Sequence, residues 1–179
     1  NDLCYLGGAP CGKLKEVFGI WAEEIDTLYP EESNLVEFNG KEYNARHFCE
    51  LIHTSEAETL GQYNSDFYKG MPAVTKNSYG KGTAYYIAFY EEGAFTKDFY
   101  AKLIEELKLE RALNTELPYG VTAHTRCGNG GEFLFIENYN DRPATVELDD
   151  ERYIELTNDV EISDAVQLDG YGVKILKVK

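Results

Sequence analysis

Apolar positions recur at helical spacing in two stretches of the chain. From Gly12 to Ile20 they fall on Leu14, Val17 and Phe18, one face of a short helix. From Thr96 to about Leu109 a second stripe comprises Phe99, Leu103, Ile104 and Leu107. Thr96 suits the N-cap there, and Asp98 stands in the first turn, where a carboxylate favours the helix dipole. Most of the remainder alternates. Asn34 to Ala45 reads as a hairpin turning at Asn39-Gly40, after a turn at Tyr29-Pro30. His47 to His53 and Glu58 to Tyr63 read as strands. Pro72–Lys76 enters a turn spanning Asn77-Ser78-Tyr79-Gly80-Lys81-Gly82, and Thr83–Phe89 leaves it without a single charge, the pattern of a strand covered on both faces.

The character changes across Leu113–Pro118. From Gly120 onward only short alternating runs remain: Val121–Arg126, Glu132–Tyr139, Thr145–Leu148, Arg152–Leu156 and Val173–Val178. Turn residues separate them at Gly128–Gly131, Asn140–Pro143 and Asp169–Gly172. Short strands at this spacing predict a small antiparallel all-β sandwich or barrel. The expected organisation is a mixed α/β part over residues 1–113, a short linker, and an all-β domain over 119–179.

Composition and charge narrow the classes of function. The chain is 43% hydrophobic with 14 tyrosines, ample for a packed core. Its net charge of −15 repels nucleic-acid phosphates and anionic lipid, which argues against both as partners. No apolar run approaches the ~20 residues of a membrane helix. The opening Asn1-Asp2-Leu3-Cys4 has neither a leader pattern nor an initiating Met, so the expectation is a piece of a longer chain. Cys4, Cys11, Cys49 and Cys127 form no C-x-x-C pair, which points to free thiols in a reducing cytoplasm.

Residues able to carry chemistry are present, but not in patterns that select a reaction. Glu23-Glu24, Glu31-Glu32, Glu91-Glu92 and Glu105-Glu106 are neighbours in sequence. Adjacent side chains diverge, so such pairs do not flank one glycosidic bond. Cys11 precedes a helix, but the positions two before and two after it hold Ala9 and Lys13, not the glycines of a nucleophile elbow. His47, Cys49 and His53 share one face of a regular strand, yet zinc draws its ligands from two elements; Cys4 or Cys11 would have to complete the set. Gly80-Lys81-Gly82 lacks the rest of a phosphate loop. Trp21, or Tyr139, Tyr153 and Tyr171 on the all-β part, are the residues a sugar-stacking face would use. No catalytic, cofactor-binding or metal-binding residue is assigned.

Three longer stretches are similar to one known family. They are Asn1–Gly8 followed by Val17-Phe18-Gly19-Ile20-Trp21-Ala22-Glu23-Glu24-Ile25-Asp26-Thr27-Leu28-Tyr29-Pro30; Asp66-Phe67-Tyr68-Lys69-Gly70-Met71-Pro72-Ala73-Val74-Thr75 with Tyr79–Ala88; and Glu132–Asn140. Together they resemble the middle and C-terminal domains of glycoside hydrolase family 42 β-galactosidases, over essentially the whole chain. The resemblance implies a parent that is a retaining, bacterial, cytoplasmic hydrolase of terminal β-D-galactosides. Its two catalytic glutamates lie in an N-terminal (β/α)-barrel that this sequence lacks. It also implies that residues 1–113 are the later part of a trimerisation domain with a class I glutamine-amidotransferase-like, flavodoxin-like α/β fold. The expected role is therefore non-catalytic subunit assembly in a homotrimer, without cofactor, the galactoside being met only through the missing barrel. A carbohydrate-binding module and a small enzyme using Cys11 are the rival readings.

Overall fold

In the computed structural model, which describes residues 9–10, 12–149 and 151–179, the first unit spans 1–107. It runs α1 (Leu14–Phe18), β1 (Ile20–Thr27), β2 (Asn34–Phe38), β3 (Lys41–Thr54), β4 (Glu58–Tyr63), β5 (Pro72–Tyr79), β6 (Gly82–Ile87), β7 (Phe89–Tyr90) and α2 (Ala94–Leu107). The turn between β2 and β3 is Asn39-Gly40, with φ of 52° and 73°. Both angles suit a two-residue turn between right-twisted strands, and Asn and Gly tolerate them best.

Every strand pairing in this unit is antiparallel among the described residues. The expectation of an α/β, amidotransferase-like fold is therefore corrected here to a mostly β unit. The physical reason lies in the connections. Parallel neighbours need a crossover of a dozen residues or more, whereas β2–β3 and β5–β6 are joined by two-residue turns. The expected six-residue turn over Asn77–Gly82 shrinks to Gly80-Lys81, because Asn77 and Ser78 pair with Ala84 and Thr83. The Asn77 amide also donates to the carbonyls of Glu16 and Val17, at 3.1 and 2.9 Å, satisfying the C-terminus of α1.

The sheet closes on itself. Its path is β1-β3-β2-β4-β5-β6, and β7 pairs back onto β3, with Cys49 opposite Phe89. Ala88, between β6 and β7, bonds both ways: its N–H donates to Ala73 O at 2.9 Å, and its carbonyl accepts from Glu50 N–H at 2.7 Å. The ring β3-β2-β4-β5-β6/β7 thus hides backbone edges as small barrels do. Inside it sit Val36, Phe38, Cys49, Leu51, Tyr63, Tyr68 and Val74, together with Phe95 and Phe99 of α2. Phe95 meets Phe38, Tyr43 and Phe89 with ring centroids 5.3, 5.3 and 4.9 Å apart, edge to face. Such contacts add about 1 kcal/mol each beyond area burial.

Two details of the helix and one of the sheet differ from expectation. α2 begins at Ala94, before Thr96, because the Glu91 carboxylate accepts the N–H groups of Gly93, Ala94 and Phe95 at 2.6, 2.9 and 3.0 Å. Its buried stripe is Phe95 and Phe99, with Leu103 half-buried; Ile104 and Leu107 face outward. β6 is half-buried on each face: Tyr85 packs on Phe99 and Tyr86 on Phe18.

The second unit, 108–179, has its own core. It comprises β8 (Val121–Gly128), β9 (Gly131–Asn138), β10 (Ala144–Glu147), β11 (Tyr153–Glu155), β12 (Val160–Ile162), β13 (Ala165–Leu168) and β14 (Val173–Val178). A five-stranded sheet, β12-β11-β14-β9-β8, and a two-stranded one, β10-β13, enclose Val121, Leu134, Ile136, Val146, Tyr153, Val166, Leu168 and Leu176. The expected antiparallel sandwich is what forms. Leu113, read from the sequence as part of the first domain, is 3% exposed within this core.

Candidate assembly surface

The residues singled out for chemistry are dispersed. Cys4 and Cys11 lie outside the described residues. His47 does not share a face with Cys49 and His53, because the pairing of β3 shifts register between Arg46 and Cys49, with His47 at a φ of 66°. His47 is exposed and its ring lies 5.0 Å from that of Tyr90. Cys49 is wholly buried, and burial pushes its thiol pKa up; the hydroxyls of Tyr68 and Tyr63 pull the other way more weakly. His53 stacks on Trp21 at 4.2 Å and stands 2.7 Å from the Glu23 carboxylate. Among the described residues no group of three or more His, Cys, Asp or Glu is placed to hold a metal.

Several of the paired glutamates are occupied. Glu91 caps α2, Glu23 meets His53, Glu106 holds Lys76 at 2.9 Å, and Glu32 accepts the N–H of Tyr29. Gly80-Lys81 is a hairpin turn. Of the three tyrosines proposed for a sugar-stacking face, Tyr153 is 2% exposed in the sandwich core. Tyr139 and Tyr171 remain outside, lining an open hollow of about 270 Å³ with Glu137, Asn138 and Val173.

The first unit also leaves large apolar side chains in water, Phe67 and Tyr29 most of all, and two groups of the others share an element face. One is a patch on β1, β3 and β7. Ile25 is 60% exposed and lies opposite Glu50; Phe48 lies opposite Thr27 and stands 6.5 Å, ring to ring, from the exposed Tyr90. The other is a stripe on α2, Tyr100, Ile104 and Leu107, exposed by 58, 47 and 61%. Positions four and seven residues on from Tyr100 fall on one helix face. Sequence pattern placed Ile104 and Leu107 in the core, and it did not find the strand patch. Ile25, with Glu23 and Glu24 before it and Asp26 after it, carries no alternation to mark it.

Comparison with known proteins agrees with this picture. Residues 1–110 match the family described as β-galactosidase trimerisation domain, and residues 120–177 match the β-galactosidase C-terminal domain. β-Galactosidase Pbg of Clostridium perfringens is 44% identical over 186 aligned positions, covering 100% of this chain and 27% of that protein. The crystal structure of β-galactosidase from Bacillus circulans sp. alkalophilus superposes with a TM-score of 0.82 at 36% identity, covering 99% of this chain and 27% of that one. A cold-adapted β-galactosidase from Rahnella sp. R3 gives a TM-score of 0.77 at 43% identity, over 99% and 26%. The chain thus spans about a quarter of the length of these relatives. It belongs to the glycoside hydrolase family 42 β-galactosidases and carries their trimerisation and C-terminal domains.

Proposed function

We propose that this chain holds the subunits of a β-galactosidase together as a homotrimer while taking no part in bond cleavage. The parent, on this reading, is a cytoplasmic retaining hydrolase of terminal β-D-galactosides. Its substrate meets only the catalytic barrel, outside these residues. The observation that carries the proposal is the match of residues 1–110 to a trimerisation domain, on a unit whose surface keeps large apolar side chains in water. A soluble monomer rarely leaves such patches open unless they bind something. The test is sedimentation of the full-length protein with and without residues 1–110 of this segment. The intact protein should sediment as a trimer and the deleted one as a folded monomer. A deleted protein that still runs as a trimer sinks the proposal.

A further inference from the structure

The turn between β2 and β3 uses Asn39-Gly40 because both of its positions need a positive φ. The same requirement sets a labile dipeptide at the surface. Asparagine is among the thermolabile residues, and the backbone nitrogen of a following glycine, with no Cβ to shield it, can attack the side-chain carbonyl. Both residues are exposed here, and a Cβ built on Gly40 would meet no heavy atom within 4 Å.

Two side chains touch the atoms that would react. The Glu37 carboxylate accepts the Gly40 N–H at 3.1 Å, and that is the proton the nitrogen must lose to attack. On the other side the Lys102 ammonium donates to Asn39 Oδ1 at 2.9 Å, the oxygen on which negative charge develops. Lys102 comes from α2 and stands 5.3 Å from the centre of the Phe38 ring, so two contacts hold it in place. An open hollow of about 330 Å³, lined by Asn39, Asp98, Lys102 and Glu105 among others, gives water access to the same side chain. A base on the attacking nitrogen and a cation on the carbonyl oxygen are the two aids that such an attack can use.

We propose that Asn39 is a self-modification site, converted to a carboxylate with the help of Glu37 and Lys102. The Gly40 nitrogen gives its proton to Glu37 and bonds to Asn39 Cγ, while Lys102 holds the oxyanion. As the carbonyl re-forms, the Cγ–Nδ2 bond breaks, and the nitrogen leaves as ammonia with the proton from Glu37. Water then opens the succinimide ring, at Cγ to give an aspartate or at the backbone carbonyl to give an isoaspartate. Either product adds a negative charge beside Lys102, and the isoaspartate lengthens the backbone inside a two-residue turn. Asn129-Gly130, the exposed turn between β8 and β9, is a control in the same molecule. Among the described residues no carboxylate or lysine is bonded to it. The full-length protein is held at neutral pH below its thermal midpoint, and both turns are followed by peptide mass spectrometry. Asn39 should convert about tenfold faster than Asn129 or more, a modest share of what a placed base and an oxyanion donor give in enclosed sites. Glu37→Gln keeps an acceptor for the N–H and removes only the base, so a Glu37 that merely pins the turn would leave the rate unchanged. Glu37→Gln and Lys102→Met should each slow Asn39 toward the rate of Asn129, with thermal midpoints checking that both variants fold. An unchanged or faster rate in either variant overturns the proposal, as does an Asn39 no faster than Asn129 in the unaltered protein.

Discussion

Tyr43 and Asp98 tie the β2–β3 hairpin to α2: the phenol donates to the carboxylate at 2.8 Å, and Lys41 joins the same oxygen at 2.7 Å. Burial first, then the bond to Asp98, pushes the Tyr43 pKa from 10.0 to about 12. The folded state therefore keeps a proton that the unfolded chain releases. The stability this contributes is complete below pH 10 and is lost as pH rises from 10 to about 12. Thermal midpoints measured across this range should fall less steeply in Tyr43→Phe than in the unaltered protein. Parallel curves would remove Tyr43 from the account of alkaline unfolding.

At the scale of elements, α2 depends on a side chain that lies outside it. Glu91 stands three residues before Ala94 and accepts three of the N–H groups that the helix leaves without partners. Glu91→Ala should lower stability by about 1 kcal/mol, the usual cost of a lost cap, read as a shift in the urea midpoint at unchanged slope. An unshifted midpoint would show that water replaces the carboxylate at no cost. The same helix shows what was legible in the sequence. Its existence followed from the spacing of Phe99 and Leu103, but its start did not, because a glutamate reaching over a glycine is not the local cap pattern that Thr96 offered. The Asn39-Gly40 and Gly128–Gly131 turns were legible, since each needs backbone angles that few residues supply. Strands β12 and β13 were not, because three or four residues hold too little alternation to stand out. The shared face drawn for His47, Cys49 and His53 failed for a related reason: period-two reasoning breaks at a register shift, and nothing local announces one. The exposed apolar patches were half-legible. Their apolar residues were visible, whereas which of them the core would leave outside was settled only by packing.

Across the whole molecule, the two units have separate cores, and the segment between the two matched domains contributes to the second of them. Ala112, Leu113 and Leu117 pack with Val121, Leu134 and their neighbours, and the backbone N–H of Asn114 donates to Asp149 at 3.0 Å. Residues 108–179 expressed alone should therefore fold with a single cooperative urea transition. A piece beginning at residue 119 loses the buried Leu113 and should be less stable by about 3 kcal/mol, by analogy with emptying a core leucine site. Equal stability of the two pieces would show that the segment rests on the sandwich without supporting it.

The barrel-like ring of the first unit has a consequence for how the protein is made. Its clasp is Phe89-Tyr90, the last strand of the unit, pairing with Cys49 and Arg46 some forty residues earlier. A chain emerging from the ribosome carries β3 into solution long before its closing partner exists. Neither Ala88 nor the Phe95 ring that fills the interior is available until the very end of the unit. Synthesis therefore passes through an interval in which β1 to β5 stand as an unclosed, edge-bearing sheet. The ring and the helix that plugs it arrive together, and the unit becomes safe from its neighbours in a single late step.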